Sequence, residues 1–184
     1  MFKSIMSFGR SPNKDVIDAL YERIVAAARQ EPFYSRWNVP DTPLGRFEML
    51  SVHVFLFLER SRGHAGLSDV AQELTDEFFK DVEHSLRELG IGDLGVPKRM
   101  KKLAKMFYGR AESYSAALAA DDQAALAAAL SRNIWPTEEP RSEAAPLAAY
   151  VFEATAYLAG LDDAELMSGA ISYPDAGKVP SVQP

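Results

Sequence analysis

The chain has 184 residues, 20 of them basic and 26 acidic, for a net charge of −6. It contains no cysteine, which excludes disulfides, thiolate metal sites and cysteine nucleophiles and suits a reducing compartment. No apolar run approaches the roughly 20 residues that a membrane-spanning helix needs, and a hydrophobic content of 47% fits one domain with a substantial core.

Residues 1–12 are basic and lightly apolar, without the long apolar region and cleavage site of a signal peptide, so a flexible lead is expected there. Phe2, Ile5, Met6 and Phe8 would let that lead touch a membrane. Asn13 or Asp15 can cap a first helix, whose stripe is Val16, Ile17, Leu20, Tyr21, Ile24 and Ala28. The segment PFYSRWNVPDTPLGRF follows. Its prolines punctuate it, and Phe33, Tyr34 and Trp37 are too costly to leave in water, so it should be an ordered loop. Either Trp37 plugs the core there, or the loop presents Arg36 and Arg46 to a partner.

Asp41 or Thr42 caps a second helix, with Pro43 in its first turn and an apolar surface over most of its circumference. That helix should run to about Arg62 and occupy the centre of the fold. A third begins at Ser68, with Val70, Leu74, Phe78, Val82, Leu86 and Leu89 inward, and Gly90 fits its left-handed end. A fourth runs from Val96-Pro97 to about Ala119. Further helices follow from Asp121 or Asp122, around Leu147 to Leu158, and over part of 162–171. From residue 172 onward three prolines and little apolar content predict a flexible tail. No alternating strand pattern and no repeat appears. The expected fold is all-α, six or seven helices around one core spanning 13–171.

The fourth helix is the unusual element. Lys98, Arg99, Lys101, Lys102, Lys105 and Arg110 face a single opposing Glu112, so this stretch carries +5 in a chain of −6. Lys98, Lys101, Lys102 and Lys105 share one helical face, while Val96, Met100, Leu103, Ala104, Phe107, Ala111 and Tyr114 share the other. A solvated basic face is the ordinary reading of such a pattern. Positive charge gathered in one place on an acidic chain favours a partner instead: anionic lipid, RNA or an acidic protein surface.

Of the three histidines, His53 lies in the apolar second helix without a partner at metal-ligand spacing, and a buried, hydrogen-bonded imidazole is expected; His64 and His84 should be solvated. There is no zincin motif, phosphate loop or nucleophile elbow. Nothing points to a catalytic residue, a metal site or a cofactor.

Two stretches, FYSRWNVPDTPLGRFEMLSVHVFLFL and GDLGVPKRMKKLAKMFYGRAESY, resemble the ubiquinol–cytochrome c chaperone family. The shared pattern is the Phe33-Tyr34 pair, Arg36-Trp37, the turn Val39 to Thr42, Gly45 to Phe47, and His53. Gly92-Asp93, Val96, Lys101-Lys102 and Phe107 to Arg110 follow. The resemblance runs from about Asp15 to Leu161, and it departs at Ser51 and Pro43. It implies a helical, non-catalytic factor for assembly of the cytochrome bc1 complex, with newly made cytochrome b as client at the inner membrane. In mitochondria a small partner protein and the ribosome exit are also involved. Without a clear transit peptide or the long extension of the mitochondrial forms, the bacterial form is expected, peripheral to the cytoplasmic face of the inner membrane.

Charge and resemblance together nominate Lys98, Arg99, Lys101, Lys102, Lys105, Tyr108, Arg110, Arg36, Trp37, Asp41 and Arg46 as partner-binding, with Trp37 and Tyr108 lining a client groove. No DNA contact is expected. Two alternatives stay open: an RNA- or ribosome-binding helical module using the same lysines, and a lipid or quinone binder using His53 with Arg46.

Overall fold

A computed structural model of the chain describes residues 13–136 and 141–179. Among these residues six long helices carry the fold: α1 (Lys14–Ala28), α3 (Pro43–Ser61), α4 (Ser68–Glu88), α5 (Val96–Ala119), α6 (Gln123–Ile134) and α7 (Ala144–Ala159). Two short ones, α2 (Glu31–Ser35) and α8 (Asp163–Met167), sit in the connections. The all-α expectation holds, with no strand among the described residues. The expected flexible lead, and residues 180–184 of the expected tail, lie outside them.

α3 is central because its sequence is apolar on nearly every side. Phe47, Met49, Val52, Val54, Phe55, Leu56 and Phe57 are all buried, and the helix touches α1, α4, α5, α6 and α7. Its start is fixed twice over. The Thr42 hydroxyl accepts from the Gly45 amide at 3.1 Å, and Pro43 occupies the first turn, where a missing N–H costs nothing. Gly45 is there for space: a Cβ would stand 1.9 Å from the Pro40 carbonyl oxygen. The loop before α3 therefore folds directly back on the helix's first turn.

The helix ends largely follow their local chemistry. Gly90 closes α4 with φ of +79°. The Asp122 carboxylate caps α6 by accepting from Ala125 N at 2.8 Å. Asp162 and Glu165 form a reciprocal capping box on α8.

One expectation fails at the C-terminal end. Residues 172–179 do not trail away but form a strap against α2 and α3. Ala176 and Val179 are buried, and the Tyr173 ring packs edge-on against His53, with centroids 5.2 Å apart. Gln30 holds the strap's backbone with both ends of its amide, donating to Pro174 O at 3.0 Å and accepting from Ala176 N at 2.8 Å. Few apolar residues suffice because polar side chains from elsewhere in the chain satisfy the strap's backbone.

Candidate functional site

Folding the Val39–Thr42 turn back onto α3 brings it opposite the N-terminal half of α5. Between them, walled by the end of α1 and the second half of α4, runs an open groove of about 790 Å3. Its floor is apolar: Val25, Ala28, Phe47, Leu50, Val82, Leu86, Leu103 and Met106. Leu44 and Leu89 stand on its rim, 48% and 57% exposed. Both are large aliphatic side chains that the fold leaves half in water.

Charge surrounds this floor. Arg29, Arg46, Arg99 and Lys102 line the groove, with Asp41, Asp81 and Glu88. Asp41 is hydrogen-bonded by the Arg46 guanidinium at 2.6 Å, which holds its carboxyl below the usual range and pushes the guanidinium up. Asp81 accepts from the Tyr21 hydroxyl at 2.7 Å. Burial, reinforced by that carboxylate, raises the Tyr21 phenol. Tyr34, donating to Ala28 O at 2.9 Å, braces the loop against α1.

The nominated residues divide by location. Arg46, Asp41, Arg99 and Lys102 meet at the groove. Lys98, Lys101 and Lys105 are exposed on the outer face of α5, where with Gly95, Arg99 and Lys102 they border a shallow depression of about 600 Å3. Tyr108 is exposed but outside the groove, its ring tilted against Phe79 at 6.1 Å. Arg36 is turned to the strap, donating to Gly177 O at 3.0 Å.

Two nominations are corrected. Trp37 is 1% exposed, packed against Phe33 with centroids 5.4 Å apart and Tyr150 at 6.3 Å. It plugs the core and lines no groove. Arg110 is drawn inward to Glu48 on α3, Nη2 to Oε1 at 2.9 Å. Glu48 is 2% exposed, and burial pushes its carboxyl up to about 7, opposed by the guanidinium. This is a core ion pair between α3 and α5. Of the stretch's cations only Arg110 is taken up in this way among the described residues.

His53 is fully buried, as expected. Its Nδ1 lies 2.8 Å from Met49 O, and since a carbonyl only accepts, Nδ1 carries the proton. Nε2 then accepts from the Tyr150 hydroxyl at 2.8 Å. Burial pushes the imidazole down to about 4, so it is neutral at physiological pH. Phe33, Tyr150 and Tyr173 enclose the ring, and it does not line the groove where Arg46 stands. The pairing of His53 with Arg46 in a quinone site loses its geometric basis. Among the described residues no cluster of three His, Asp or Glu is placed to hold a metal, and no helix is long and apolar enough to cross a membrane.

Sequence reasoning missed the walls of the groove. The residues from α1 and α4 carry ordinary stripe signatures, and Leu86 and Leu89 read as core. Their partial exposure comes from the groove left between α1, α3, α4 and α5, a tertiary arrangement that no local pattern encodes.

The fold and sequence have known counterparts. The chain superposes on the crystal structure of the Cbp3 homolog from Brucella abortus with a TM-score of 0.86, at 57% identity over 91% of this chain and 93% of that one. No curated protein matches it significantly. The profile of the ubiquinol-cytochrome C chaperone family matches residues 35–173, from the last residue of α2 to the first residues of the strap, and the chain belongs to that family.

Proposed function

We propose that this chain is an assembly chaperone for the cytochrome bc1 complex and that its groove receives an apolar segment of newly made cytochrome b. Family membership supports the assembly role. The client reading rests on one observation: an apolar floor ringed by charge, with Leu44 and Leu89 left half-exposed on its rim. An amphipathic or apolar helix laid into such a groove covers the floor, while its polar flanks meet the charged rim. Its volume falls within the roughly 300–1,000 Å3 of ordinary ligand pockets, and it opens to solvent along its length. The work asked of the chaperone is shielding, with no bond made or broken.

Leu44→Asp combined with Leu89→Asp tests this. Both side chains already stand half in water, so the fold should survive with its melting temperature lowered by only about 4–8 °C. Completing the burial of two half-exposed leucines contributes about 1 kcal/mol each, so recovery of nascent cytochrome b with the chaperone should fall at least tenfold, and bc1 content with it. Undiminished recovery with normal bc1 levels would remove the groove from the mechanism.

A further inference from the structure

The loop before α5 holds the most exposed large apolar residue of the described structure. Leu94 is 98% exposed in the sequence Gly92-Asp93-Leu94-Gly95, directly ahead of the lysine face. Its neighbour Asp93 is paired with Arg87, which offsets the one acidic charge of the loop. Beyond it Lys98, Lys101, Lys102 and Lys105 follow along one helical face over about 10 Å. Tyr108, also exposed, continues that ridge.

We infer that Leu94 and the lysine face of α5 form one docking surface for an anionic lipid bilayer, with Leu94 inserted below the headgroups and the lysines on their phosphates. A single aliphatic side chain held out in water beside a collar of cations matches the layering of a membrane surface, apolar beneath anionic. A tyrosine at the edge of the ridge suits the headgroup level. RNA would match the charge but not the leucine, which has no π-face. Tyr108, exposed at the end of the lysine face, is tilted against Phe79 and edge-on to Phe107 rather than free to stack on a base. The inference goes beyond the client-binding reading and stands without it, because Leu94 is not part of the groove.

The test uses the full chain and phosphatidylcholine vesicles with and without phosphatidylglycerol. Leu94→Trp places an indole in the loop, whereas Trp37 and Trp135 are buried. The expected results are flotation only with phosphatidylglycerol present and quenching of the introduced indole by brominated lipid. Each lysine near an anionic surface contributes about fivefold in affinity, so glutamate at all four positions should weaken binding at least a hundredfold. Leu94→Asp should weaken it about tenfold with unchanged helicity, the side chain making almost no contact in the fold. Vesicle binding that leaves the indole unquenched, or that ignores Leu94→Asp, would overturn the inference, since the chain would then be docking elsewhere. So would absence of vesicle binding together with lysine-dependent, steeply salt-sensitive binding of RNA. Loss of cytochrome b recovery in the Leu44 and Leu89 variant with vesicle binding intact would separate the two surfaces and support this one.

Discussion

Glu48→Gln is the sharpest probe of the core, because the wild-type carboxyl is buried and raised from 4.5 to about 7. A folded pKa above the unfolded one means that the group's contribution is fully present below about pH 4.5 and is lost as pH rises through about 7. At about 1.4 kcal/mol per pH unit, ionising Glu48 in the fold costs about 3 kcal/mol in all, most of which falls between pH 5 and pH 8. Glutamine fits the same space and does not titrate. The variant should therefore gain about 2–3 kcal/mol on wild type across that interval. Denaturant unfolding of both proteins at a series of pH values measures it, and His53 cancels because both carry it. Parallel curves for the two proteins would refute the argument and with it the buried state of Glu48.

The same reasoning bounds Arg110→Met. Breaking a buried ion pair commonly costs about 3–5 kcal/mol, because a charge is stranded. Here a proton can replace the guanidinium. Keeping Glu48 protonated at pH 8, about one unit above its wild-type value, adds only on the order of 1 kcal/mol to what wild type already bears. At pH 5 this part of the cost vanishes, since Glu48 is protonated in the fold either way.

Three other outcomes are expected. Tyr150→Phe leaves His53 Nε2 without its donor and should cost about 1–3 kcal/mol. The depressed imidazole gives stability that is present above about pH 6.5 and lost as pH falls through about 4; without the hydroxyl donor that favours the neutral ring, His53 should protonate at a higher pH in the variant, so the loss is complete at a higher pH, as NMR titration of the ring can follow. Gly45→Ala drives a Cβ into the Pro40 carbonyl, a backbone atom that cannot rotate away, and should cost about 3 kcal/mol by thermal melts while displacing the loop that forms the groove's rim. Gln30→Ala removes both hydrogen bonds to the strap and should raise amide exchange at Ala176 without unfolding α3.

The helices were legible because each buries a stripe with its own period and most end on a recognisable residue, as α3 does at Thr42 and α4 at Gly90. Legibility failed where a residue's partner is far along the chain. Arg110 flanks the apolar stripe of α5, a position from which it can turn outward or inward. Glu48, on another helix, decides. Glu48, the one acidic residue between Pro43 and Leu58 of this largely apolar helix, is the available sign of a buried cation. Trp37 offered two readings from composition alone, and packing on Phe33 and Tyr150 chooses the core. The strap is hidden from local pattern for the same reason: Gln30 and Arg36, which hold its backbone, precede it by more than a hundred residues.

What joins the proposed client groove to the proposed lipid surface is α5 itself. Its inner flank contributes Leu103 and Met106 to the groove, its outer flank carries the lysines, and Arg99 and Lys102 border both depressions. A chaperone docked through Leu94 and Lys98 would hold the groove beside the bilayer, so an apolar segment could pass from lipid to groove across that shared edge with little exposure to water. Because Arg99 and Lys102 belong to both surfaces, substituting them cannot tell the two apart. Lys98 and Lys105 against Leu44 and Leu89 can, since each pair lines only one. If vesicle binding and cytochrome b recovery rise and fall together in all four single variants, the division of labour along this helix is wrong, however sound each surface looks alone.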